Sequence, residues 1–407
     1  MSNLNNLLLM RSFRIQNMVL RPQHARWMLL AVIVLFLGWR FVRPLNIFVV
    51  EEKFAWPIDS PIPKGLESLS AQHCGSCHTE IYQEWSGSMH ARAWTDEYYQ
   101  ADRAFEKRPH VCINCHIPLK NQQEKVVVRY RDKDMLDPVL ADNPHFDPQL
   151  RDEGVTCAVC HVRQGEVIGP YATDQSPHPV KVDPNFLSGM SPCRICHVVS
   201  GDRWDMFYRI APCGTVDEIN QGERKPDCVG CHLPSVTRPM ATSGPLRQGG
   251  RHLFQGGHYP PQVARALKVD HRREEVDGKS QFVFTLTNVG TDHFLPTGTP
   301  DRHLTLAFRL LDDHDAVMQE KVYKLQRTIM WRPFILDLWD NRLAARQPRE
   351  FIYELPKMGA APQAAVLDVT IRYHLLDEAR RKRINYQNTV PIHYSIYHER
   401  IDLSGGT

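Results

Sequence analysis

Hydrophobic and polar positions divide the 407 residues into three stretches of different rhythm. Near the amino end, Trp27-Met-Leu-Leu-Ala-Val-Ile-Val-Leu-Phe-Leu-Gly-Trp39 is apolar over thirteen residues, short of the about 20 that a membrane span normally takes. The run extends through Phe41, Val42, Leu45, Ile47, Phe48, Val49 and Val50 if Arg40 and Arg43 snorkel towards an interface. At the carboxy end, residues 282–288, 304–310, 351–353, 366–373 and 394–403 carry period-two alternation. Turn residues such as Asn288-Val-Gly290 and Asp312-Asp313 separate them, which predicts repeated short strands. Residues 71–262 follow neither rhythm, and prolines are scattered through them.

That middle stretch carries the chemistry. Ten of the eleven cysteines fall in five copies of Cys-x-x-Cys-His: Cys74–Cys77–His78, Cys112–Cys115–His116, Cys157–Cys160–His161, Cys193–Cys196–His197 and Cys228–Cys231–His232. The spacing is the attachment signal of haem c. Two thiols add to the vinyl groups on one porphyrin edge, and the adjacent histidine reaches the iron as proximal ligand. At this composition such a pattern is expected on the order of 0.01 times in a random chain. A zinc framework does not require the trailing histidine, and five oxidised short loops would be strained. The motifs imply five covalently attached haems c, with proximal ligands His78, His116, His161, His197 and His232. Their first cysteines are 38, 45, 36 and 35 residues apart. Those intervals hold a helix or a loop but no separate domain, so the haems share one core.

The sixth iron ligand decides function, and fifteen histidines lie outside the motifs. His24 precedes the apolar run and is excluded; His73 abuts Cys74 and is poorly placed for its own haem. His90 follows the first motif on a predicted helix. His178 lies between later motifs and His252 follows the last. His110, His145 and His258 are secondary candidates. Met190 and Met240 read as ordinary loop methionines. Cys213 has no partner for an intrachain disulfide and reads as a buried small residue, with thiolate ligation or an intermolecular disulfide as alternatives.

Cys-x-x-Cys-His followed by Tyr82 and Trp85-x-x-Ser88-x-His90 resembles the opening of the multihaem cytochrome c-554 family, relatives of the hydroxylamine oxidoreductase-like cytochromes. Glu153-Gly-Val-Thr-Cys157 is similar to a second family signature. Leu233-Pro234, Gly244-Pro245 and His252-x-Phe254-x-Gly256 are similar to the segment after the last motif. The resemblance covers about residues 71 to 312. It implies a distal haem ligand at His90 and at His178 or His252. Five motifs rather than four depart from the tetrahaem pattern, which leaves the pairing of ligands with haems open. No counterpart of the catalytic haem of the eight-haem relatives is assignable, and no catalytic residue is named.

The fold expected is α+β and multidomain: a helical, loop-rich haem domain over residues 71–262, then a β-sandwich resembling the immunoglobulin-like class over 263–407. Asp292-His293-Phe-Leu-Pro296-Thr297-Gly298 lies between the first two strands. His293 reads either as a distal ligand pointing back at the haems or as a turn histidine, with His303 as substitute. Trp331 to Trp339 reads as an apolar cover for the haem interface or a docking patch.

Arg11, Arg14, Arg21 and Arg26 precede the apolar run and favour an inside amino terminus. No small-residue cleavage site follows it. The expectation is a cytoplasmic tail (1–26), a transmembrane signal anchor (27–50) and a proline-bearing linker (51–70), with a cleaved signal peptide as the alternative. Charged residues at 23% and hydrophobic ones at 42% are ordinary for a globular protein. A net charge of +3 says little about partners, because propionates are not in the count. No basic run with interleaved aromatics points to nucleic acid. The function expected is a single-pass cytochrome of the bacterial inner membrane facing the periplasm, passing electrons between redox protein partners through mostly bis-histidine haems. The alternatives are an oxidoreductase using one five-coordinate haem on a small nitrogen or sulfur compound, a quinol-linked subunit, and a scaffold within a respiratory or photosynthetic complex.

Overall fold

A computed structural model describes residues 22–42, 56–107, 110–131, 137–172, 174, 176–183, 185–186, 192–197, 215–220, 227–330, 336–356 and 365–403. Met190, Cys213 and residues 331–335 lie outside them. Pro22–Val42 forms one helix, and its side chains from Trp27 to Phe36 are exposed. Among the described residues no helix is long and apolar enough to cross a membrane. The apolar part ends at Trp39, where Arg40 follows.

From residue 56 to the last motif the elements are short. Helices run over Ala71–Gly75, Thr79–Ser86, Glu97–Phe105, His110–His116, Pro148–Asp152 and Cys157–His161. Small sheets, unread in the sequence, join them. Strands β1 (Lys125–Tyr130) and β2 (Pro138–Asp142) pair antiparallel. Strand β4 (Glu166–Gly169) lies between β3 (Val162–Arg163) and β5 (Val180–Val182). Strands β6 (Ser235–Pro239) and β7 (Leu246–Gly250) form a further antiparallel pair after the last motif helix. The apolar core of this half is small: Leu69, Leu119, Leu150, Ala158, Val159 and Val162.

Helix Pro260–Ala266 leads into the second half. Its strands are β8 (Leu267–Val276), β9 (Lys279–Asn288), β10 (His303–Leu311), β11 (Val317–Met330), β12 (Leu336–Asp340), β13 (Pro348–Glu354), β14 (Val366–His374) and β15 (His393–Asp402). They form an antiparallel sheet ordered β12-β11-β10-β14-β15 and another ordered β13-β9-β8. Alternate residues explain the packing. Phe282, Phe284 and Leu286 of β9 meet Leu304, Leu306, Phe308 and Leu310 of β10 and Leu367, Val369 and Ile371 of β14 in one core. The segment expected to cover the haems does not do so over its described part. Leu336–Asp340 is edge strand β12 on β11, with Leu338 and Trp339 exposed.

The halves are bound together. Arg342 of the β half, almost fully buried, pairs with Glu218 at 2.7 Å. Arg380 reaches Asp102 and, at 2.8 Å, Glu106. Leu376, Ile384, Tyr386 and Ile392 bury themselves against Tyr98 and Ala101.

Candidate haem-attachment sites

Short capped turns position the motifs. Ser70 accepts from the N–H groups of Gln72 and His73, Thr156 from Ala158 N, and Asp227 from Gly230 N. Each such cap is worth about 1 kcal/mol. Within one turn, cysteines three apart share a face, which is what two thioether bonds to one porphyrin edge require.

All ten motif cysteines and all five motif histidines line one continuous cavity of about 2780 Å³. An ordinary small-molecule site takes about 300–1000 Å³, so this space suits several porphyrins. Backbone carbonyls accept from Nδ1–H of the motif histidines: Met240 O for His78 at 2.5 Å, Ala93 O for His116 at 2.6 Å, Ile168 O for His161 at 3.0 Å and Gln255 O for His232 at 2.7 Å. A proton held on Nδ1 leaves Nε2 bare for a metal. Burial lowers His116 and His161 to about 4. Near neutral pH both are the uncharged imidazole that ligates iron.

Three motif histidines face a second imidazole. Ring centres are 6.4 Å apart for His78 and His178, 6.3 Å for His161 and His252, and 6.4 Å for His197 and His90. Two imidazoles on one metal ion have ring centres about 6 Å apart, because each metal–nitrogen bond is about 2 Å and each ring nitrogen about 1 Å from its centre. The residues therefore fit axial ligation of haem iron at three motifs. His293 is buried near His232, whose charge helps lower it to about 4, after burial itself; its Nδ1–H donates to Phe294 O at 2.8 Å.

Local structure aims these partners. Gly154, with φ 62°, lets the backbone pass so close to the His90 carbonyl that a Cβ would lie 2.6 Å from it. Val155 N donates to that carbonyl at 2.9 Å. Gly65, with φ 84°, likewise admits Pro177, next to His178. Glu84 accepts from His252 N at 2.9 Å and from buried Arg238 at 2.8 Å. Asn288, fully buried, donates to His293 O at 2.8 Å and to Leu343 O at 3.3 Å.

The second motif differs. The ring of His116 lies flat on Tyr99, 3.6 Å away and 7° from parallel, and among the described residues no histidine ring faces it. The Tyr99 hydroxyl is buried without a hydrogen-bond partner. Of the secondary candidates, His258 lines the cavity while His110 and His145 do not. Nε2 of His258 lies 3.4 Å from Arg302 Nη2, and Nε2 of His110 is buried and unpaired. Nothing in the sequence singled out Tyr99, Glu84 or Arg302, because their roles come from packing across distant segments.

Cysteines of different motifs meet. Cys74 lies beside Cys157, Cys115 beside Cys196, and Cys193 beside Cys228 and near Cys160. The attachment edges therefore adjoin in the order first, third, fourth, fifth motif, with the second beside the fourth.

Residues 73–162 match the family model described as cytochrome c554 and c-prime. Among solved structures, a penta-heme cytochrome c552 from Thermochromatium tepidum is similar at 18% identity and a TM-score of 0.64, over 83% of this chain and 100% of that one. At that identity the likeness is one of fold. No curated protein matches the chain. Together with the motifs and the cavity, these likenesses support a multihaem c-type cytochrome.

Proposed function

We propose that the chain binds five haems c and passes electrons between protein redox partners. The observation that carries this reading is the common separation of 6.3–6.4 Å in the pairs His78–His178, His161–His252 and His197–His90. His232 with His293 is the fourth pair. A bound haem c supplies one-electron iron chemistry, and bis-histidine ligation lowers its potential relative to Met/His. The residues of the chain do the rest. Paired imidazoles would hold each iron and shut out substrate, backbone carbonyls fix the ring orientation, and the adjoining cysteines would hold the haems close enough for electron hopping. In a reductive titration the purified protein takes up five electrons, and carbon monoxide leaves four haem spectra unchanged. Uptake of fewer electrons, or a general response to carbon monoxide, contradicts the reading.

A second reading is favoured at one place. Tyr99, rather than a second imidazole, packs on His116, which supports an open iron at the second motif and reaction with a small nitrogen or sulfur compound there. Carbon monoxide binding to one haem, with the spectrum of that adduct altered in His116→Ala, supports it; five inert irons sink it.

Attachment to the bacterial inner membrane with the haem half in the periplasm belongs to the same proposal. The exposed apolar side chains between Trp27 and Phe36, with aromatic Trp27 and Trp39 at the two ends, support anchoring through this part of the chain. A quinol-linked role requires a further membrane subunit. Release of the protein by alkaline carbonate, without detergent, contradicts anchoring.

A further inference from the structure

We propose that Arg302 is a carboxylate-binding residue in the cavity wall, and that its occupant is a haem propionate. The inference rests on the haem-loaded reading above and adds a role for the β half that the motifs do not carry. Arg302 stands at the foot of β10, on the loop that also bears His293, and lines the cavity.

Its guanidinium has neutral partners only. It lies 3.5 Å from Thr297 O and 3.4 Å from His258 Nε2, and it hydrogen-bonds the Tyr373 hydroxyl. Among the described residues it forms no ion pair. The neighbouring carboxylates are committed elsewhere: Asp301 accepts from Tyr98, and Asp96 caps helix Glu97–Phe105 through Tyr99 N. A half-buried guanidinium without a counter-ion is costly, and its planar fork is matched to a carboxylate.

Glycine keeps the place open. A Cβ on Gly257 would come within 2.6 Å of the Tyr373 hydroxyl and 3.1 Å of Arg302 Nη1, and one on Gly298 within 3.1 Å of the same nitrogen. Tyr394 donates to Gly257 O and pins that backbone. The site is therefore built from three segments: residues 257–258, the 297–302 loop, and the sheet residue Tyr373.

Potentiometric titration of the full haem-loaded protein, followed haem by haem, tests this in wild type, Arg302→Gln and Arg302→Lys. A cation beside a propionate favours the reduced haem, so Arg302→Gln is expected to shift one haem to lower potential. Arg302→Lys, which keeps the charge, is expected to shift it less in the same direction and guards against misfolding of the glutamine variant. Wild-type potentials are expected to ignore added phosphate. Unchanged potentials in both variants, with five haems still attached, overturn the proposal while leaving the electron-transfer reading intact. A wild-type potential that moves with phosphate, and stops doing so in Arg302→Gln, overturns it in favour of a free anion.

Discussion

A histidine becomes an axial ligand when its Nδ1 proton is engaged and burial keeps the ring neutral. His90 meets the second condition: burial, then the charges of His197 and His232, lowers it to about 3. Replacing it with alanine leaves the iron of the fourth motif with one protein ligand, so His90→Ala is expected to turn one low-spin haem high-spin; an unchanged spectrum contradicts the pairing. Glu84 works one layer further out. Burial opposes its ionisation, but the Arg238 guanidinium and His252 N–H outweigh that and hold its carboxyl below the usual range. A carboxyl lowered in the folded state stabilises above the unfolded value of about 4.3 and loses that stabilisation as pH falls through the folded value. Glu84→Gln leaves buried Arg238 with only the more distant carboxylate of Glu80, 3.8 Å away, and is expected to cost about 3 kcal/mol at neutral pH and to flatten the fall in melting temperature below pH 4.5. Equal acid sensitivity of both proteins contradicts it. The sequence made His90, His178, His252 and His293 visible as candidates, because imidazole is scarce chemistry. It could not show which faces which, since each pairing joins segments tens of residues apart.

Among elements, alternation was legible where a strand buries one face, as in β9, β10 and β14. Strand β8 is an edge strand reading Lys-Val-Asp-His-Arg-Arg-Glu-Glu, mostly exposed, so no alternation marks it. The short pairs β1–β2 and β6–β7 are too brief for period two to register. The loop between β9 and β10 matters most for the site, and Asn288 ties its first turn by donating to His293 O and accepting from Thr291. Asn288→Ala strands buried carbonyls, at about 1–3 kcal/mol. It is also expected to make the fifth-motif haem partly high-spin, as measured by visible spectroscopy at 25 °C. Stability loss with an unaltered spectrum separates a merely structural asparagine from one that aims His293.

At the scale of the whole molecule, the two halves are held by different means. The β half has an extensive apolar core, whereas the haem half buries few apolar side chains around a large cavity. Protein made without haem attachment is therefore expected to lose residues 71–262 to limited proteolysis while 263–407 persists. Survival of both halves alike contradicts a haem-built core. The cysteine motifs made covalent haem attachment and a shared haem core legible in the sequence, which also offered His293. The lining of the cavity, and Arg302 within it, came only from the fold. The most direct measurement is spin-quantified electron paramagnetic resonance of the fully oxidised full-length protein. Low-spin ferric signals from four haems, with the second-motif haem distinct, are the expected result; predominantly high-spin iron, or fewer than five haems per chain, contradicts a bis-histidine electron-transfer chain.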